Sequence, residues 1–286
     1  MKKLMNINRI KLQLLYIDKK YSQDKVAKIL HCSQWVVSNR LRSFDIKTRP
    51  KTCNLVKRKY EFDRNFLRNI SLDIAWILGL LVSDGFVTNN AVAANFGLKL
   101  KRKDEDVIFK VKRILKYQGP VLTGTSKIRH KGIIKEFPYS LFKINERNIV
   151  NQLEQISIKQ NKTLNENFLE CISETEDEKT ISSFMGGIYD GDGSVLYDKK
   201  RNSMCFQIVG TLQLLSKIQQ YLIYYCYVNK TALTKNIKGA NHYALRYRGN
   251  LQAVKILNWV YKYSNSFNRM NRKYEDFCKI RRVIKK

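Results

Sequence analysis

Apolar positions in the first fifty residues recur at the three- and four-residue spacing of amphipathic helices. Three groups of them predict three short helices: Leu12, Leu14, Leu15 and Ile17, then Val26, Ala27, Ile29 and Leu30, then Val36, Val37, Leu41 and Phe44. Ser22 and Ser33 stand where their side chains would cap the second and third helices. Residues 1–50 are therefore predicted to form a small all-α module.

From residue 71 onward one order of elements occurs twice. Each copy begins with an apolar helix that ends in Asp-Gly, and strand-like runs and amphipathic helices follow it. The strands and helices include 91–100, 139–144, 104–115 and 146–156 in the first copy, and 204–210, 243–248, 212–225 and 250–261 in the second. The pattern predicts an α+β fold of two pseudo-symmetric α/β repeats, preceded by the all-α module.

Two charged segments mark the boundaries of these parts. Residues 51–70 are basic and show no strong period, which indicates a linker, and residues 173–180 are acidic and indicate a second, exposed linker. The predicted domains are thus the module at 1–50, a first repeat at 71–172 and a second repeat at 181–286.

The net charge indicates the kind of partner. The chain has 54 Lys and Arg against 24 Asp and Glu, a formal charge of +30 that is spread over nearly its whole length. A field of this strength repels itself unless a polyanion neutralises it. We therefore expect the partner to be nucleic acid.

Several other classes of protein are disfavoured. Six cysteines and three histidines show no metal-ligand spacing, so a zinc site is not expected. No phosphate-binding G-x-x-x-x-G-K-[ST] loop is present, which argues against a nucleotide hydrolase. The scattered cysteines are typical of free thiols in a reducing compartment, and nothing targets or spans a membrane, so a cytoplasmic location is expected.

Two segments that end in Asp-Gly, Ile77–Gly85 and Met185–Gly193, carry the candidate chemistry. Each places small residues four positions apart on one helix face, so two such helices can pack closely. The small residues are Gly79 and Ser83 in the first segment, and Gly187 and Gly191 in the second. Gly85 and Gly193 suit the left-handed conformation that often follows a helix end.

The aspartates before those final glycines, Asp84 and Asp192, lie 108 positions apart. Packed helices would bring both carboxylates to one end, beside carbonyl oxygens that carry the negative end of the helix dipole. Such oxygen donors suit Mg2+ or another divalent cation. Divalent ions there can activate water and neutralise a phosphodiester in hydrolysis, without a histidine or cysteine nucleophile.

The paired segments resemble the LAGLIDADG homing endonuclease family, closely in the second copy and in degenerate form in the first. The resemblance covers about residues 71–286. It implies a monomer whose two sheets form a saddle over the major groove of double-stranded DNA at a long, asymmetric target. It also implies that Asp84 and Asp192 are the catalytic metal ligands. Val82 and Ser83 depart from the family's motif, which predicts slower cutting by the first copy.

The resemblance also implies a basic catalytic residue near each metal, just before the last helix of each repeat. Lys162 and Lys273 are the candidates. Lys99 and Gln207, on the strands that follow the motifs, are further candidates.

Alternating side chains on the strands would face the major groove. The candidates for DNA contact are Lys99, Lys101, Gln207, Arg246 and Arg248. The same alternation is typical of a strand whose polar face simply meets water.

Residues 21–46 resemble a helix-turn-helix DNA-binding segment, with Ala27 and Val37 where its helices pack and His31 where a turn usually prefers glycine. The second helix would present Gln34, Trp35, Ser38, Asn39 and Arg42 to DNA. The alternative is a small bundle that packs on a protein.

The leading hypothesis is site-specific double-strand cleavage of DNA. One alternative is an RNA maturase that binds its intron RNA. Another is a transcription regulator of the same fold, in which the helix-turn-helix follows the endonuclease-like part and the metal ligands are eroded. This chain has the opposite order and keeps both aspartates.

Overall fold

A computed structural model describes residues 7–49, 60–130, 133–159, 177–235 and 241–284 of the chain. It consists of two compact units, Met1–Tyr60 and Glu61–Lys286, each of which has its own hydrophobic core. No helix in these described ranges is both long and apolar enough to cross a membrane.

The first unit is all-α. Helix α1, Arg9–Leu12, continues as a π-helix over Gln13–Asp18, and α2, Gln23–Ile29, and α3, Gln34–Ser43, follow. Ser22 and Ser33 accept hydrogen bonds from backbone amides in the first turns of α2 and α3, which confirms both predicted caps. His31, in the turn between these helices, has the left-handed φ of 51° that its position requires.

The larger unit begins inside the segment that was predicted to be a basic linker. Phe62 and Phe66 are buried in its core, and the amide of Asp63 donates to the carbonyl of Leu115. Residues 51–59 lie outside the described residues. The linker prediction is therefore wrong for its last ten residues, because two isolated aromatic residues in a charged segment give no periodic signal.

The larger unit contains the two repeats, and the predicted α+β fold is confirmed. The first comprises α4 (Leu72–Ser83), β1 (Gly85–Asn89), β2 (Ala94–Lys101), α5 (Glu105–Ile114), β3 (Leu122–His130), β4 (Ile133–Ile144) and α6 (Arg147–Gln155). The second comprises α7 (Glu178–Asp192), β5 (Gly193–Asp198), β6 (Ser203–Gly210), α8 (Leu212–Cys226), β7 (Thr234–Lys235), β8 (Tyr243–Arg248), α9 (Asn250–Val260) and α10 (Asn271–Ile284).

Each repeat forms a four-stranded antiparallel sheet, in the orders β1-β2-β4-β3 and β5-β6-β8-β7. Strict alternation along the central strands sends one set of side chains to the core, where helices cover it. On β2 the buried set is Phe96, Leu98 and Leu100, and on β6 it is Met204, Phe206 and Ile208. The opposite face of each sheet carries the polar and basic side chains.

Part of the acidic segment that was predicted to be a linker is helical. Asp177 caps α7 by accepting from the amides of Lys179 and Thr180, so the last residues of the predicted linker 173–180 form the start of a helix. Glu178 accepts from Trp259 and pairs with Lys262. Residues 173–176 lie outside the described residues.

Candidate functional site

Helices α4 and α7 meet through glycine, and their backbones touch. A methyl group on Gly79 would lie 2.1 Å from the carbonyl oxygen of Phe184, and one on Gly187 would lie 2.1 Å from that of Trp76. The contacts at the two glycines are reciprocal, as expected of two related helices packed across a pseudo-twofold axis. Any larger residue at either position would force the helices apart.

The two helices remain in contact at their C-terminal ends. A methyl group on Gly191 would lie 2.0 Å from the Ser83 hydroxyl oxygen. That hydroxyl donates within its own helix to the carbonyl of Gly79 at 3.0 Å, and lies 3.5 Å from the carbonyl of Gly187. The small residues four apart thus lie in the contact between the helices.

Asp84 and Asp192 stand at the adjoining ends of the paired helices. Asp84 is the C-cap residue of α4, and Asp192 is the last residue of α7. The glycine that follows each aspartate opens a strand, Gly85 in β1 and Gly193 in β5.

The expected left-handed conformation of these glycines is not found. Gly193 has an extended backbone with φ −85°, and the described glycines with a positive φ do not include Gly85. What both positions require is space: a methyl group on Gly85 would lie 2.5 Å from Leu81 Cα, and one on Gly193 2.5 Å from the carbonyl oxygen of Tyr189. The chain passes directly from helix to strand over the last helical turn.

Lys273 connects the second helix end to the last helix of the fold. It is the third residue of α10, rather than a residue before it, and its ammonium donates to the carbonyl oxygens of Tyr189 (2.9 Å), Gly191 (2.9 Å) and Gly193 (2.6 Å). The Tyr189 carbonyl also accepts from the backbone amide of Gly193, and the negative end of the helix dipole favours a cation here. Lys273 therefore places a positive charge against the carbonyl oxygens at the end of α7.

Burial lowers the pKa of Lys273, while the nearby carboxylates of Asp190, Asp84 and Asp192 oppose that change. The ammonium is therefore within electrostatic reach of both motif aspartates. The carboxylates of Asp84 and Asp192 are the candidate side-chain ligands for a metal ion at these helix ends. No group of three or more acidic, histidine or cysteine side chains with metal-binding geometry occurs in the described ranges.

Two carboxylates nonetheless fit Mg2+. This ion keeps several waters and commonly binds through one or two carboxylates together with phosphate oxygens of a substrate. Asp84 and Asp192 would hold it here.

Asp190, two residues before Asp192, is fully buried. Its carboxylate accepts from Trp76 Nε1 (2.8 Å), the Tyr261 hydroxyl (3.0 Å) and the backbone amide of Met270 (2.7 Å). Burial raises the pKa of this carboxyl, and the three donors and Lys273 counter the rise. No local pattern in the sequence predicts these partners, since they lie 71 to 114 positions from Asp190 along the chain.

A cleft of about 350 Å³ opens beside the helix ends. Its walls include Asp84, Gly191 and Lys273, together with basic side chains at the end of β2: Lys99, Lys101 and Lys103. Arg272 and Asp104 also line it and form an ion pair, with 2.7 and 3.2 Å between nitrogen and oxygen atoms. This pair connects α10 of the second repeat to the first repeat, and no local sequence pattern predicts it because its members are 168 positions apart.

The predicted DNA-contacting lysines of β2 are exposed on the face opposite the core. Lys99 donates to the Ser126 hydroxyl at 2.9 Å and lies 4.0 Å above the ring of Tyr139, and Lys101 is opposite Tyr139 in the register. The two lysines therefore extend the rim of the cleft along the open face of the first sheet.

In the second sheet Gln207 and Arg246 are opposite each other, and Arg246 Nε donates to Gln207 Oε1 at 2.6 Å. Arg248 stands on the same face, opposite Cys205. Gly85 pairs with Leu98 and Gly193 with Ile208, so Gln207 corresponds in register to Gly97 and not to Lys99.

The remaining candidates belong to the first unit or to a segment outside the described residues. In the first unit Gln34, Trp35 and Arg42 are exposed on α3, with Trp35 71% exposed, whereas Ser38 and Asn39 are half-buried. Lys162 lies outside the described residues.

No family model matches the sequence. No curated protein matches it either.

Several solved structures are similar to this chain. The meganuclease I-SmaMI bound to uncleavable DNA is 15% identical, with a TM-score of 0.46 over 75% of this chain and 92% of that one. The homing endonuclease I-WcaI bound to its DNA recognition sequence is 11% identical, with a TM-score of 0.49 over 80% of this chain and 96% of that one. The N-terminal LAGLIDADG domain of DUF199/WhiA is 15% identical, with a TM-score of 0.44 over 75% of this chain and 91% of that one. At these identities no residue role is transferred to this chain.

Proposed function

We propose that this chain is a site-specific DNA endonuclease of the LAGLIDADG type that hydrolyses phosphodiester bonds with divalent metal ions. One observation carries the proposal: two carboxylates, Asp84 and Asp192, end two helices whose backbones touch, beside the half-buried ammonium of Lys273. Paired carboxylates next to a cation, at the edge of a basic cleft, suit the binding of a phosphate and a metal together.

The charged side chains at the helix ends and in the cleft would have different roles in the reaction. Asp84 and Asp192 would hold the metal, and Mg2+ there would supply an activated water and neutralise charge on the phosphate. Lys273 holds the end of α7 and sets a positive charge beside the scissile phosphate, where negative charge develops. Lys99, Lys101 and Lys103 attract the flanking phosphates.

DNA is the proposed partner because the outer face of each sheet carries basic side chains at alternate positions of a strand. The face of each sheet that points away from the core carries two of these cations: Lys99 and Lys101 on the first sheet, and Arg246 and Arg248 on the second. Side chains presented at alternate positions of a strand can reach base edges in the major groove. The exposed side chains of α3 in the first unit would supply a second DNA contact.

The test is to incubate the purified chain and Mg2+ with a plasmid that carries an uninterrupted copy of the locus flanking its gene, and to map any ends by sequencing. We expect a double-strand break at one place, which disappears when EDTA replaces Mg2+. Intact plasmid together with specific binding of the intron RNA would overturn the proposal in favour of the maturase.

A further inference from the structure

Asp190 is a buried carboxylate that the proposed reaction does not use. One of its oxygens, Oδ2, accepts from both Trp76 Nε1 and the Met270 amide, and Oδ1 accepts from the Tyr261 hydroxyl. A carboxylate without contact to water requires such partners. Three separate parts of the fold therefore meet at this one side chain: α4, the residue after α9, and the residue before α10.

Met270 immediately precedes α10, and Lys273 stands in the first turn of that helix. The bond from the Met270 amide to Asp190 therefore fixes the point from which Lys273 reaches the carbonyls of Gly191 and Gly193. The first repeat holds the same segment from the other side, because Lys110 donates to the Arg269 carbonyl at 2.7 Å and Asp104 pairs with Arg272.

The corresponding position of the first repeat has no such group. Val82 stands in its motif where Asp190 stands in the second, and Phe184 corresponds to Trp76. The corresponding pair of side chains is thus apolar, and of the two motif helices only that of the second repeat has a carboxylate at this position.

We infer that Asp190 is a positioning residue, which holds the start of α10 so that Lys273 stays at the end of the second motif helix. The inference rests on the proposed function for its catalytic consequence, since Lys273 is proposed to act beside the phosphate. Trp76 and Tyr261 stabilise the buried carboxylate, whereas the Met270 amide is the donor through which it acts.

The test compares Asp190→Val, which copies Val82, with Asp190→Asn and Trp76→Phe. An asparagine has the same shape: its oxygen can accept from Trp76 and Met270, and its amide can donate to the Tyr261 hydroxyl. Trp76→Phe copies Phe184 and removes one donor without touching the segment before α10. Amide hydrogen exchange at Met270–Lys273 reports the position of that segment, and single-turnover cleavage and the Kd for target DNA report function.

In Asp190→Val we expect at least about tenfold faster exchange at Met270. We also expect a cleavage rate constant about 10²-fold lower, with the Kd within about threefold, because a small misplacement of a charged group affects the chemical step more than binding. Asp190→Asn should stay within about threefold of the unchanged chain in all three measurements. Trp76→Phe should lower the Tm while exchange and rate stay within about threefold.

Unchanged exchange at Met270 in Asp190→Val would overturn the inference, as would a loss of rate in Trp76→Phe equal to that in Asp190→Val. If Asp190→Val does not fold, Asp190→Ser replaces it, because its hydroxyl is too short to reach the Met270 amide. If the unchanged chain cleaves no DNA, the proposed function fails, and hydrogen exchange still decides whether Asp190 positions α10.

Discussion

The two motif helices are alike where they touch and different where they end. Gly79 and Gly187 allow the same close approach from either side, since a methyl group added to either would lie 2.1 Å from a carbonyl oxygen of the opposite helix. At the ends, α4 finishes with Val82 and Ser83 before Asp84, whereas α7 finishes with Asp190 and Gly191 before Asp192. The repeats therefore share what pairing requires, and differ in what surrounds each carboxylate.

The packing of α4 against α7 should be disrupted by a single added methyl group. We expect Gly187→Ala to destabilise the fold by about 3 kcal/mol, because the added carbon meets the backbone carbonyl of Trp76, which cannot move away. Urea unfolding at equilibrium measures this. Gly186→Ala is the matched control, since a methyl group there would lie 3.4 Å from the Val260 carbonyl oxygen and should be neutral or stabilising. Equal loss in both variants would contradict the close approach of the helices.

The cation at the end of α7 should matter for rate more than for binding. Lys273→Met keeps the apolar stem but leaves the carbonyls of Gly191 and Gly193 without their donor. We expect the single-turnover cleavage rate to fall about 10²-fold. Lys279→Met removes the same charge from an exposed position on the same helix and should change the rate less than about twofold. Similar losses in both would assign the effect to net charge.

Asymmetry at the helix ends should be visible as an order of strand cutting. The half-site handled by the first repeat should be cut several-fold more slowly, because the altered motif residues Val82 and Ser83 precede its aspartate. Under limiting Mg2+, nicked circles should then accumulate on a gel before linear DNA forms. Simultaneous loss of both strands would show that the two ends are equivalent in function.

A small gain in stability should result from glycine at the same kind of helix end in each repeat. Lys116 and Tyr227 each follow the amphipathic helix of a repeat, with φ 51° and 52°. Replacing either by glycine should stabilise the fold by about 1 kcal/mol, since a side chain disfavours the left-handed conformation. Thermal unfolding would measure the gain. Tyr227→Ala, which keeps Cβ, should bring none; a gain there would attribute the effect to removal of the exposed ring.

Local patterns predicted much of this fold, and partners distant in sequence account for most of what they missed. The alternation at 243–248 coincides with β8, and the two Asp-Gly segments coincide with the paired helix ends. Asp104 and Arg272 are 168 positions apart, and Asp190 and Met270 are 80 apart, so no period connects them. Gly85 and Gly193 were assigned a conformation from the helix-end rule, but close packing is what requires glycine there.

The most direct measurement is single-turnover cleavage of the mapped target by Asp84→Asn and by Asp192→Asn, with the Kd for the same DNA measured alongside. An asparagine keeps the shape of each side chain and removes the charge that binds a cation. We predict that each variant binds the target within about threefold of the unchanged chain and cleaves it about 10³-fold more slowly. Undiminished cleavage by both variants would contradict a catalytic centre at the paired helix ends.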